Sequence, residues 1–99
     1  MNKNKVDDNI IAIKELTIVN KLGLHARAAS KLAQLCQQFT STINLELEGK
    51  KADANSIMAI MLLAGGQGKT VKVTVQGADA PQALQAISQL ISDKFDEEE

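Results

Sequence analysis

His25 is the only histidine in the chain, with Gly23 two residues before it and Arg27 two residues after. One histidine excludes zinc sites built on several, and any two-histidine relay. Gly23 closes a turn and an amphipathic pattern starts at residue 26, which predicts that the imidazole stands at or beside the N-cap of a helix. Backbone N–H groups of a first helical turn have no intrahelical partner, and the helix dipole is positive there, so the position favours an anion. In its neutral form the ring is a nucleophile, and beside an anion hole it suits acceptance of a phosphoryl group. Arg27 adds a guanidinium able to bind phosphate oxygens in pairs. A plain capping or surface histidine also fits this position, and residue types alone leave the two readings side by side.

Three other features invite chemistry. Gly65-Gly66-Gln67-Gly68-Lys69-Thr70 has the glycines and the Lys-Thr pair of a phosphate loop. That pattern needs a glycine five places before Gly68, where Leu63 stands, and a strand before it and a helix after it, whereas the order here is reversed. The segment is therefore expected to be a helix stop and connector. Ser56 precedes an apolar run and reads as an N-cap. Ile57, Met58 and Met61 lie beside the buried positions Ile60 and Leu63 in a helix apolar nearly all round; the excess, with its soft methionines, predicts an exposed docking patch. Cys36 falls on the apolar stripe of the first helix and reads as core.

The elements that must position these residues follow from periodicity. Ile11 to Val19 is rich in β-branched residues and predicts a strand ending in the Asn20-Lys21-Leu22-Gly23 turn. From Ala26 to Phe39, Ala29, Leu32, Ala33 and Cys36 recur at helical spacing, with Arg27, Lys31, Gln34 and Gln38 opposite. Thr42 to Glu48 alternates, Gly49 turns the chain, and Lys50 to Ala54 returns as a short strand whose lysines suit an edge. A second helix runs from Ser56 to Gly65-Gly66, and Thr70 to Gln76 alternates cleanly through Val71, Val73 and Val75. Asp79 is placed to cap a last helix with Pro81 in its first turn and Leu84, Ile87 and Ile91 as its buried stripe. The order β-α-β-β-α-β-α with alternating strands predicts an α+β open-faced sandwich: a four-stranded antiparallel sheet with three helices on one face.

Ninety-nine residues make one domain, and the 44% apolar content supplies a core without disulfide or metal. Residues 1–9 read as a flexible extension, 10–95 as the single domain and 96–99 as a solvated acidic tail. Eleven Lys and Arg against twelve Asp and Glu leave no basic field, and Phe39 and Phe95 are the only aromatics, so nucleic-acid binding is disfavoured. A lone cysteine, a polar start and no apolar run of membrane-spanning length predict a cytoplasmic protein without membrane contact.

Gly23-Leu24-His25-Ala26-Arg27-Ala28-Ala29 resembles the active-site segment of the histidine-containing phosphocarrier family, HPr, of the bacterial phosphoenolpyruvate-dependent phosphotransferase system. Asn55-Ser56-Ile57-Met58-Ala59-Ile60-Met61 resembles that family's second-helix motif, at the family's separation, and the likeness covers roughly residues 11 to 95. The resemblance implies that His25 carries the phosphoryl group on a ring nitrogen, that Arg27 stabilises it, and that no cofactor takes part. The family commonly has proline where Ala28 stands, so this chain gains a backbone N–H in the first helical turn. Asn20 to Ala29 and the Phe95-Asp96-Glu97 ending are more similar to the nitrogen-related branch, NPr, which implies an Enzyme I-type donor and a IIA-type acceptor of the nitrogen kind. In some branches the serine matching Ser56 is phosphorylated by a kinase, which would obstruct docking. The expectation is a monomeric carrier rather than an independent enzyme. Its rivals are a small-molecule-binding regulatory domain, which leaves His25 and Arg27 unexplained, and an RNA-binding module, which lacks its strand aromatics.

Overall fold

Apolar residues at every second position build the two central strands, and apolar stripes at helical spacing build the helices that cover them. A computed structural model describes residues 10–98; the extension expected over 1–9, and residue 99, lie outside the described residues. The elements are β1 (Ile11–Thr17), α1 (Ala26–Cys36), β2 (Thr42–Leu47), β3 (Lys50–Asp53), α2 (Ile57–Leu62), β4 (Thr70–Gln76) and α3 (Ala80–Ser92), in the order the periodicities predict. The sheet runs β1-β4-β2-β3 with every neighbouring pair antiparallel. Ile43, Leu45, Leu47, Val71, Val73 and Val75 are buried under the helices, each worth about 1.5–3 kcal/mol. Their neighbours Asn44 and Lys72 face water. β3 lies on one edge, where its lysines discourage further pairing. β1 forms the other edge and turns Ile11 and Ile13 to the open face.

Four details depart from the sequence expectation. α1 stops at Cys36 rather than Phe39, because Gln38 and Phe39 close tighter bonds to Leu35 O and Cys36 O. The carboxylate of Asp79 then draws the following backbone away: it accepts from Thr40 N at 2.9 Å, from Ser41 N at 3.0 Å and from the Ser41 hydroxyl. Asp79 occupies the N-cap position of α3 but makes no capping bond there, since it is engaged with residues 40 and 41. α2 ends before Gly65-Gly66, and the left-handed residue behind it is Ala64 (φ 55°). Gly65 is crowded instead: a Cβ there would meet the terminal methyls of Ile18 and Leu24 at 2.7 Å, so those side chains would have to shift.

The fourth departure is the acidic run, which is not a solvated tail throughout. Phe95 is fully buried, so the chain beyond α3 must return to the core. It does so through a turn in which Lys94, Phe95 and Asp96 have φ of 58°, 54° and 60°. Left-handed backbone costs a non-glycine residue roughly 1–2 kcal/mol. Burial of the Phe95 ring and a 2.7 Å hydrogen bond from Lys31 Nζ to Phe95 O offset that cost.

Candidate functional site: the start of the first helix

Between β1 and α1 the chain makes one tight turn, in which Gly23 N donates to Asn20 O at 3.2 Å. Gly23 is left-handed (φ +63°), and a Cβ on it would stand 2.2 Å from Gly65 O, so any other residue would push the two loops apart. The next amide, Leu24 N, donates to the same Gly65 O at 2.8 Å. Thus the glycine-rich connector after α2 buttresses the loop that carries the histidine. His25 then adopts extended backbone (φ −75°, ψ 178°) as N-cap of α1, and its carbonyl accepts from Ala29 N at 2.8 Å. The imidazole makes no capping hydrogen bond to the first-turn amides, which leaves them available to an anion.

The ring is held from the other end of the chain. His25 Nε2 lies 2.6 Å from Glu97 Oε2, with the two side chains 27% and 11% exposed. Burial alone would push the Glu97 carboxyl up, but hydrogen bonds from His25 and Asn20, with the charges of His25 and Lys31, outweigh it and hold the group below the usual carboxylate range. An ionised carboxylate only accepts, so Nε2 carries the hydrogen of this contact, and in the neutral ring the lone pair then lies on Nδ1. Asn20 is fully buried. Its Nδ2 donates to Gly23 O at 2.9 Å and to the two Glu97 oxygens at 3.2 and 3.3 Å, while its Oδ1 is buried without a partner. An open cleft beside the ring is lined by Lys21, Leu22, Arg27, Asp96 and Glu97. The cleft thus brings two cations, Lys21 and Arg27, to an imidazole at a helix start, an arrangement that can receive an anionic group.

One comparison decides the family: the family model described as "PTS HPr component phosphorylation site" matches residues 12–93. The chain belongs to the HPr phosphocarrier family. It is 46% identical over 84 residues to the phosphocarrier protein HPr of Xylella fastidiosa, covering 85% of this chain and 94% of that protein. It is 48% identical over 84 residues to the phosphocarrier protein NPr of Shewanella violacea, covering 85% of this chain and 92% of that protein. A crystal structure of HPr from Thermoanaerobacter tengcongensis superposes with a TM-score of 0.85 at 42% identity, covering 89% of this chain and 99% of that one. HPr proteins of the phosphotransferase system thus share the sheet, the helices and their order with this chain.

Within this HPr fold, His25 and Arg27 line one cleft, with Arg27 exposed on the first turn of α1. Ser56 caps α2, its Oγ accepting from Ala59 N at 3.1 Å. Ile57, Met58 and Met61 are exposed, Met58 by 71%. Leu62 at the end of α2 and Leu22 beside the histidine are exposed as well, by 71% and 70%, and the sequence reading does not single them out. Cys36 is buried as expected, and burial, reinforced by Asp53, pushes its thiol up to about 12. The sequence pattern does not single out Asn20 and Glu97 as site residues. The available signal was Phe95: a large apolar residue beyond the last helix requires burial, and that draws the acid two places on toward the core. Among the described residues no cluster of three or more His, Cys, Asp or Glu could hold a metal, and no helix is long and apolar enough to cross a membrane.

Proposed function

We propose that this chain accepts a phosphoryl group on His25 from an Enzyme I-type, phosphoenolpyruvate-dependent donor and passes it to a IIA-type acceptor, within the nitrogen-related branch. The observation that carries the reading is the state of the imidazole: Nε2 is occupied by Glu97, and the ring stands at a helix start with unpaired amides. Nδ1 is therefore the attacking atom. Its lone pair forms the N–P bond as the donor's bond to phosphorus breaks, and the first-turn amides with Arg27 meet the phosphoryl oxygens. In the second transfer the N–P electrons return to Nδ1. Both steps occur in a partner's active site, so the protein is a carrier rather than an independent enzyme, acting in the cytoplasm as a monomer.

Partners dock on the apolar ground around the histidine, with Ile57, Met58 and Met61 of α2 as anchors. Phosphorylation of Ser56 would set a dianion at the start of α2 beside Ile57 and Met58, adding charge to that ground and obstructing docking. Incubation with phosphoenolpyruvate and each Enzyme I-type protein of the same cell tests the core of the reading. It expects an acid-labile, base-stable gain of one phosphoryl group on His25, from the nitrogen-type donor and not the sugar-type one. No labelling with any donor would sink the carrier reading; labelling by the sugar-type donor alone would move the chain to the other branch.

A further inference from the structure

Glu97 is held far more firmly than an acid in a solvated run. Three successive left-handed residues, Lys94 to Asp96, deliver it, and such backbone persists only where its surroundings fix it. Phe95 anchors the turn in the core, Lys31 holds its carbonyl, and buried Asn20 grips both Glu97 oxygens while bonded to Gly23 O of the histidine loop. A fully buried amide that leaves its own Oδ1 without a partner is costly, by the desolvation of one acceptor. The amide is oriented for Glu97, and Glu97 for the histidine.

Resting on the carrier reading above, we infer that Asn20 and Glu97 form a positioning pair that keeps the proton on His25 Nε2 through the phosphorylated state, and so sets how readily the phosphoryl group leaves. When Nδ1 forms its bond to phosphorus and Nε2 keeps its hydrogen, the ring carries a positive charge. The Glu97 carboxylate is in place, on the opposite nitrogen from the phosphoryl group, to balance that charge. On onward transfer a protonated ring leaves as neutral imidazole, whereas a ring that has lost its Nε2 proton would have to leave as an imidazolide anion, a far poorer leaving group. The other charged groups facing the site are Lys21 in the turn, Arg27 on α1 and Asp96 and Glu98 in the acidic run, with Lys31 engaged at Phe95 O. The connector residues Ala64 to Gly66 contribute no charge.

The test needs no partner protein. The full chain is phosphorylated on His25 with phosphoramidate, and loss of the phosphoryl group is followed by phosphorus NMR as a function of pH, for wild type, Glu97→Gln and Asn20→Ala. In wild type the group stays labile to a higher pH. Glu97→Gln should move the fall in lability down by roughly one pH unit, up to about tenfold slower loss on the alkaline side, as expected for removing one opposite charge in contact with the ring. Asn20→Ala should move it in the same direction, by less. Asn20→Ser, too short to reach Glu97, replaces it if the alanine variant melts below the assay temperature. A merely structural role would lower thermal stability and leave the pH profile in place. Superimposable profiles overturn the inference, as does wild type that takes no label on His25. A profile that moves only for Glu97→Gln removes Asn20 from the pair. Because phosphoramidate replaces the donor, failure of enzymatic labelling would count against the carrier reading alone.

Discussion

At the level of single residues, the site divides into what a local window of sequence fixes and what only the folded chain brings together. The placement of His25 and Arg27 at a helix start is legible because a glycine turn followed by an amphipathic run sets that start within a few positions. Asn20 and Glu97 meet across 77 positions and Glu97 meets His25 across 72, and no periodicity announces a contact of that span. Arg27 is exposed and belongs to no core, so Arg27→Ala should leave thermal stability within about 0.5 kcal/mol of wild type. On the proposed role, the same change should slow phosphorylation of His25 and onward transfer roughly ten- to a hundredfold, because it would remove a charge-assisted donor from the transferring group. Arg27→Lys should recover only part, since an ammonium cannot reproduce the paired geometry of a guanidinium. Stopped-flow or quench transfer with phosphorylated donor measures both. Unchanged rates in Arg27→Ala would assign phosphate binding to the helix amides alone.

Element order follows from periodicity, with alternation cleanest in β2 and β4, whereas the strand order β1-β4-β2-β3 is a tertiary fact that alternation does not announce. The ends are less legible, because they are set by groups that belong to other elements. Asp79 illustrates this: it stands where a cap should be, yet its carboxylate ties the end of the α1–β2 connection to the start of α3. The close approach of that connection is visible at Gly77, where a Cβ would meet Ser41 Oγ at 2.5 Å. Hydrogen bonds from the Ser41 side chain first, then from the Thr40 and Ser41 backbone, hold the Asp79 carboxyl below its usual value. A carboxyl depressed in the folded state contributes stability above its ordinary range and loses it as pH falls through the folded value. Asp79→Ala should therefore lower the melting temperature at neutral pH by several degrees. The gap to wild type should close as pH is taken below the usual carboxylate range, which paired thermal melts from neutral to strongly acid pH would follow. A gap that persists undiminished in acid would mean that the carboxylate charge plays no part.

For the molecule as a whole, the proposed carrier role has one nitrogen serve a donor and an acceptor in turn, which predicts a surface around it that is shared rather than divided. His25 stands at the start of α1 beside the connector that leaves α2, with Leu22 lining the same hollow, and the exposed apolar residues of α2 precede that connector in the chain. Apolar anchors dominate interface energies, and a buried unpaired charge is costly. Met58→Glu separates docking from folding, since Met58 is 71% exposed and α2 is held through buried Ile60 and Leu63 instead. The variant should melt within about 0.5 kcal/mol of wild type. It should bind both the donor and the acceptor at least about tenfold more weakly, a loss of ~1.4 kcal/mol or more, as titration calorimetry with each partner would read. Chemical phosphorylation of His25 by phosphoramidate should be unaffected, because that reagent needs no docking surface. Weakening toward one partner only would show that the two docking surfaces are distinct. Normal affinity for both would move docking to the Arg27, Lys31 and Gln34 side of α1, where cations replace methionines as the recognition element and binding would become strongly salt-dependent.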